Sequence, residues 1–242
     1  MNRRGLVIRH AAVETLGDNF ALVFKEKDIQ TVELNLFDLA PHYDGFPAPD
    51  LKDISLVLIL GGSMSVNDNY PALAAEQELI RSAIATDIPV FGVCLGAQLM
   101  SAALGGRVEA TGGFQFGLRK IDITPEGSSD PVFSKIQVPL VPTLHGDCFS
   151  VPSGAVPLAR GTMLCRDGSY KEINMAYRYR NCYGFQFEPQ LTLAELKIWN
   201  RELYSDYSLM GDRFDPAQEA DRNLREFTGY APLYEAQMRD LL

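Results

Sequence analysis

The chain has 242 residues, 46% hydrophobic and 22% charged, with a formal net charge of −9. This composition fits one α/β domain with a substantial core, argues against nucleic acid or an anionic membrane as main partner, and offers no run of about 18 apolar residues to span a bilayer. Four cysteines (Cys94, Cys148, Cys165 and Cys182) without C-x-x-C pairing, and only three histidines, imply free thiols in a reducing cytoplasm and no protein zinc site.

At the start, Arg3 and Arg4 precede only the short apolar run Leu6-Val7-Ile8, which reads as a first strand over 5–9 rather than a signal peptide. Residues 18–27 form a short helix with Phe20, Leu22 and Phe24 among its apolar positions, and 31–37 a second strand. A loop over 38–50 carries Pro41, Gly45, Pro47 and Pro49. Residues 55–60, Ser-Leu-Val-Leu-Ile-Leu, are the near-continuous apolar run of a strand buried on both faces. Gly61-Gly62-Ser63-Met64-Ser65-Val66 follows at once. Its glycines serve either a tight turn at positive φ or a backbone N–H donor to an oxyanion. A helix over 71–85 opens on Pro71. Strands alternating with helices predict a parallel sheet covered on both faces, with ligands beyond the carboxyl ends of the strands.

Residues 89–93 are the next buried strand, and a helix runs from Gly96 through Leu104. Cys94 stands at the joint between Gly92 and Gly96, a G-x-C-x-G version of the nucleophile elbow. A helix N-terminus at this point favours the thiolate, and the N–H of Leu95 can face an oxyanion. The plainer reading of Cys94 is a small buried hydrophobe.

After Leu104 the pattern turns to short strands, at 117–124, 138–143, 156–159, 173–179 and 183–187. The second of these leads into Leu144-His145-Gly146-Asp147. Thr192 caps a helix reaching about Tyr204, with Leu193, Leu196 and Trp199 on one face. Residues 205–215 read as a polar loop, and 216–242 as a charged, helical packing element without chemistry.

Gly92-Val93-Cys94-Leu95-Gly96-Ala97-Gln98 resembles the elbow of class I glutamine amidotransferases. Together with Gly61-Gly62, the stretch from Leu144 to Ala155, and Asn174-Met175-Ala176-Tyr177-Arg178, it is similar to the free-standing proteins related to the amidotransferase part of GMP synthetase. The likeness runs from about Leu6 to Trp199. It implies a three-layer, flavodoxin-like, mostly parallel sheet. It implies Cys94 as nucleophile, Gly61, Gly62 and Leu95 at the oxyanion, and Gln98, His145 and Asp147 in the glutamine pocket, with Asp147 toward the substrate α-amino group. No cofactor is implied. The partners implied are glutamine or a γ-glutamyl compound and an ammonia-accepting synthase; since the chain carries no P-loop, that second site would be on a partner protein or absent.

The likeness breaks at one place. The family's His-x-Glu, which completes a Cys-His-carboxylate constellation, falls on Glu188-Pro189-Gln190, so Glu188 replaces the histidine and Gln190 the glutamate. A carboxylate is an intrinsically weaker base than imidazole and a like charge beside a thiolate. Three readings follow: hydrolysis of a side-chain amide through a Cys94 thioester; an impaired member that binds or regulates; or another reaction. The precedent for the last is a set of relatives on this fold whose glutamate, from an early strand end, sits beside a reactive cysteine, and the likeness to Glu188 is chemical only.

Overall fold

The structure, a computed structural model, describes residues 3–229 and 231–242. Its first half is a run of alternating units: β1 (Arg3–Arg9), α1 (Gly17–Glu26), β2 (Ile29–Asn35), β3 (Ile54–Ile59), α2 (Pro71–Ala85), β4 (Val90–Val93) and α3 (Leu95–Ala103). The second half is richer in strands: β5 (Val108–Lys120), β6 (Asp122–Ile123), α4 (Pro125–Ser129), β7 (Leu140–Phe149), β8 (Val156–Leu164), β9 (Tyr170–Tyr179) and β10 (Cys182–Phe185). Helices close the chain: α5 (Leu193–Glu202), a 3-10 helix (Tyr204–Met210), α6 (Pro216–Gly229) and α7 (Ala231–Arg239).

Eight strands form one sheet in the order β2-β1-β3-β4-β10-β9-β8-β6. The five from β2 to β10 are parallel, and β9, β8 and β6 continue antiparallel. This is the mostly parallel, helix-covered α/β sheet that the alternation predicts. The period of two along the central strands divides the core. Val7 and Leu58 point to the side of Phe20 and Phe24 from α1. Leu6, Ile8, Val57 and Ile59 point to the side of Leu73 and Ile80 from α2 and Leu99 from α3. Apolar residues at both parities leave neither face for solvent, so both must carry helices.

Outside the main sheet, β5 and β7 form an antiparallel ribbon, interrupted between Ala110 and Gln115. Several boundaries differ from the sequence reading. The second strand ends at Asn35, and Leu36–Leu39 is a 3-10 turn. His145, Gly146 and Asp147 lie within β7 rather than beyond it, paired with β5. The expected loop over 205–215 is in large part the 3-10 helix. Its Tyr207 is fully buried, with the ring stacked on Phe116 of β5 at 4.7 Å between centroids. The expected Thr192 cap is a full capping box: Thr192 Oγ1 accepts the Glu195 N–H, and Glu195 Oε2 accepts the Thr192 N–H at 2.7 Å. All four cysteines are free thiols, and among the described residues no helix is long and apolar enough to cross a membrane.

Candidate active site

The carboxyl ends of β1, β3, β4 and β10 converge on Cys94. Its backbone is at φ 49°, ψ −109°, a left-handed conformation that a side-chain-bearing residue adopts only under constraint. The constraint comes from both sides: the Cys94 N–H donates to Phe185 O of β10 at 2.7 Å, and Cys94 O accepts the Gln98 N–H at 3.1 Å. Close approach explains the flanking glycines. A Cβ on Gly92 would lie 2.6 Å from the Gly96 carbonyl carbon, and one on Gly96 would lie 2.2 Å from Ile59 O. Helix α3 is thus pressed onto the end of β3, and the corner residue is driven outward.

Gly61 and Gly62 do not adopt positive φ, so conformational freedom is not why they are glycines. Space is the reason. A Cβ on Gly61 would sit 2.7 Å from Glu14 Oε1, and one on Gly62 would sit 2.6 Å from the Cβ of His10. His10 is buried beneath this turn. Its Nδ1 is 3.2 Å from both Leu60 O and Gly61 O, and its Nε2 is 2.9 Å from Glu76 Oε2 of α2. Acceptors at both ring nitrogens call for imidazolium. Burial lowers its pKa, but the Glu76 charge and the hydrogen bonds outweigh burial and raise it overall. With Gly61 O turned toward His10, a trans peptide directs the Gly62 N–H away from it.

The Cys94 thiol donates to Leu144 O at 3.6 Å, and Gln186 Nε2 donates to the sulfur at 3.8 Å. The helix N-terminus does not prevail here, contrary to the expectation of a depressed thiol pKa. Burial first, then the charges of Glu188 and Glu14, push the thiol well above its ordinary value, and Leu95 opposes them only partly. Cys94 is a thiol at neutral pH.

Glu188 is buried behind Cys94. Its Oε2 accepts from Gln190 Nε2 at 2.7 Å, and its N–H donates to Pro142 O at 2.9 Å. Burial pushes its carboxyl up to about 7, while the hydrogen bond from Gln190 holds it from rising further. Glu14 is a group that sequence reasoning missed. It lies just past β1, and its carboxyl is raised well above the ordinary range by burial and then by Glu188, with Arg9 opposing. A glutamate from an early strand end therefore does stand in the Cys94 environment, and it is Glu14 rather than Glu188. The signal that could have found it was position, since open α/β sheets bind ligands at the ends of their strands. Glu188 Oε1 and Glu14 Oε2 are buried without a hydrogen-bond partner among the described residues. The loop beyond Glu188 is clamped by α1: Asn19 N–H donates to Gln190 O at 3.2 Å, and Asn19 Nδ2 to Leu191 O at 3.0 Å.

A cavity of about 550 Å³ opens over the elbow. Cys94, Gly62, Gln98, His145 and Asp147 line it, with Glu14 on a neighbouring wall, while Gly61, Leu95, Glu188 and Gln190 lie behind the lining. Gln98 Nε2 donates to Asp147 O and to Gln186 Oε1, each at 3.3 Å. Asp147 Oδ2 accepts from Ser65 Oγ at 2.8 Å. His145 does not bond to Cys94. Its Nδ1 donates to Asp147 O at 2.9 Å, which leaves Nε2 a buried lone pair without a partner among the described residues. Burial, with help from the Arg119 charge, lowers its pKa to about 4, so the ring is neutral. The remaining wall has no counterpart in the sequence reading: Leu203, Asp206 and Leu209, around and within the 3-10 helix, close one side. That helix is held down by a buried polar chain in which Tyr207 OH donates to Asn200 Oδ1, and Asn223 Nδ2 of α6 donates to Tyr207 OH at 2.6 Å and to Phe116 O at 3.2 Å.

Chemically, the site sets a buried thiol at the corner beneath the cavity, two carboxyls of raised pKa around it, and backbone N–H groups at Leu95 and Gly62.

The model of the glutamine amidotransferase class-I family matches residues 25–200. A glutamine amidotransferase-like protein of Acanthamoeba polyphaga mimivirus is 41% identical over 165 residues, covering 66% of this chain and 69% of that protein. A glutamine-hydrolysing GMP synthase of Colwellia psychrerythraea is 29% identical over 146 residues, which cover 56% of this chain but only 25% of the synthase. One subunit of the glutamine-hydrolysing GMP synthase from Saccharolobus solfataricus is 25% identical over 172 residues, covering 71% and 85% of the two chains. The crystal structure of a glutamine amido transferase from Methylobacillus flagellatus superposes with a TM-score of 0.82 at 26% identity, covering 100% of this chain and 93% of that one. The family match spans most of the chain and includes the elbow, the β7 segment and the Glu188 loop, so the chain belongs to the class I glutamine amidotransferase family.

Proposed function

We propose that this protein binds glutamine or a γ-glutamyl amide and cleaves the side-chain amide through a Cys94 thioester, with two glutamates doing the proton transfers. The observation that carries the proposal is Glu188, a buried carboxyl behind Cys94 whose pKa is pushed up to about 7 and which the Gln190 amide orients at 2.7 Å. A general base works best when its pKa is near the working pH, and it can serve a nucleophile whose own pKa is much higher.

Asp147 and Gln98 hold the amino-acid end. Cys94 Sγ attacks the amide carbon as its proton passes to Glu188. The oxyanion meets the N–H groups of Leu95 and Gly62. Glu14, protonated and on the cavity wall, gives its proton to the departing nitrogen as the C–N bond breaks. Water then attacks the thioester and returns a proton to Glu14, and the leaving thiolate recovers the proton held by Glu188. Both carboxyls end as they began. Likeness to one subunit of a GMP synthase supports a synthase partner as acceptor of the ammonia.

A second reading, a pocket that binds without efficient turnover, is favoured by the same carboxyls: they hold Cys94 as a thiol, and Glu188 does not reach the cavity wall. The test is ammonia release from glutamine by the unaltered protein and by Cys94→Ala, Glu188→Gln, Glu14→Gln and the double change Glu188→His with Gln190→Glu. Release that needs Cys94, Glu188 and Glu14 supports the first reading. Release only from the double variant supports the second. Neither release nor glutamine binding in any form overturns both.

A further inference from the structure

We propose that the preferred ligand of this cavity is a γ-glutamyl amide of a diamine, with its α-amino group at Asp147 and its distal ammonium at Asp206. This rests on the reading of the cavity as a γ-glutamyl site and adds the chemistry of the tail.

Size is the first consideration. Glutamine has about ten non-hydrogen atoms, and at the roughly 30 Å³ each water takes in the liquid these fill at most about 300 Å³. The cavity holds about 550 Å³, enough for several further atoms. Leu203 and Leu209 of the wall made by the 3-10 helix line the cavity, as do Val13 and Phe114. Leu209 is 41% exposed and Val13 is 40% exposed, so this side is the mouth. A hydrocarbon stretch fits there.

The second consideration is polarity. Besides the Cys94 thiol, the ionisable lining groups are Glu14, Asp147 and Asp206, with His145 neutral, and no lysine or arginine lines the cavity among the described residues. The lining is also rich in acceptors that lack donors. Glu14 Oε2 and His145 Nε2 are buried without partners among the described residues. The half-buried Asp206 carboxylate accepts only from the Ser205 hydroxyl, at 3.4 Å, among the described residues. An unmet buried acceptor is costly and selects a ligand that brings N–H donors. An ammonium brings three, plus the charge that Asp206 complements. A carboxylate tail would find no cation.

The experiment is calorimetric titration of the Cys94→Ala protein, which consumes no ligand, and of Cys94→Ala with Asp206→Asn. The probes are glutamine and the γ-glutamyl amides of 1,4-diaminobutane, butylamine and 4-aminobutyrate, which share a head and differ in tail charge. The diaminobutane amide is expected to bind about fivefold more tightly than the butylamine amide, the range of a solvent-accessible ion pair. It is expected to lose that advantage in the Asp206→Asn protein. Equal binding of the three tails, tightest binding of the aminobutyrate amide, or an ammonium preference that survives Asp206→Asn overturns the proposal while glutamine binding leaves the site reading intact. Binding by none of the four, glutamine included, overturns the site reading itself.

Discussion

Glu14 and Glu188 meet at Cys94 from the ends of β1 and β10, on either side of the β3–β4 pair, and each raises the proton affinity of the thiol. The elbow therefore carries a proton reserve where the family resemblance implies an imidazole. If Glu188 is the base, its ionised form is the active one. The rate should climb about tenfold per pH unit below its pKa of about 7 and level off above it. Glu188→Gln should lower the rate by roughly 10²- to 10⁴-fold and remove that inflection. Ammonia release followed from pH 5.5 to 8.5 checks both.

Thiol chemistry gives a second check that needs no substrate. Removing a neighbouring negative charge lowers a thiol pKa, and each unit is about tenfold in thiolate fraction. Alkylation of Cys94 by iodoacetamide at pH 7.5, read by peptide mass mapping, should be slow in the unaltered protein. It should be several-fold faster in Glu188→Gln, whereas Glu14→Gln, which replaces a carboxyl that already holds its proton, should change it little. An unchanged rate in Glu188→Gln would show that burial alone sets the thiol.

The same carboxyl affects stability. Glu188 titrates near 7 in the fold against an ordinary 4.5, so between these values the folded chain keeps a proton that the unfolded chain releases. Its contribution to stability is therefore full below the unfolded value and is lost as pH rises through about 7. Glu188→Gln keeps the buried polar contact without the titration. The melting temperature of this variant relative to the unaltered protein should rise from pH 5 to pH 8, as measured by calorimetry at the two pH values.

Beneath the Gly61-Gly62 turn, the His10–Glu76 pair is fully buried on both sides. Glu76→Ala strands a buried imidazolium and should cost about 3–5 kcal/mol in urea unfolding. Because His10 also pins Gly61 O, the surviving folded fraction should lose turnover with little change in glutamine binding. Equal loss of both would point to a purely structural pair.

Gly96→Ala should abolish soluble expression, because its Cβ would come within 2.2 Å of Ile59 O, an atom that the β3–β4 pairing does not let move. Gly229→Ala is the control: nothing among the described residues lies within 4 Å of its added Cβ, so the fold should tolerate it.

Contiguous features were legible in the sequence. The helix over 71–85 and the elbow at Cys94 follow from apolar runs and their punctuation. What stayed hidden depends on contacts between distant segments. Glu14 is a single acid in a short polar loop, and only the neighbouring strand ends make it part of the site. Tyr207 sits in a stretch of mixed polarity without helical period, and its burial comes from stacking on Phe116 and bonding to Asn200 and Asn223. The thiol pKa moved opposite to expectation because the helix terminus is a local effect, whereas the two carboxyls converge only in the fold.

The wall containing Asp206 lies past residue 200, where the family match ends. The elbow and the wall containing Asp206 are thus written in separate stretches of one chain. Divergence in the last forty or so positions can retarget the protein without disturbing the corner at Cys94. An engineer seeking new amides should randomise 203–209 and leave the half that carries the elbow untouched.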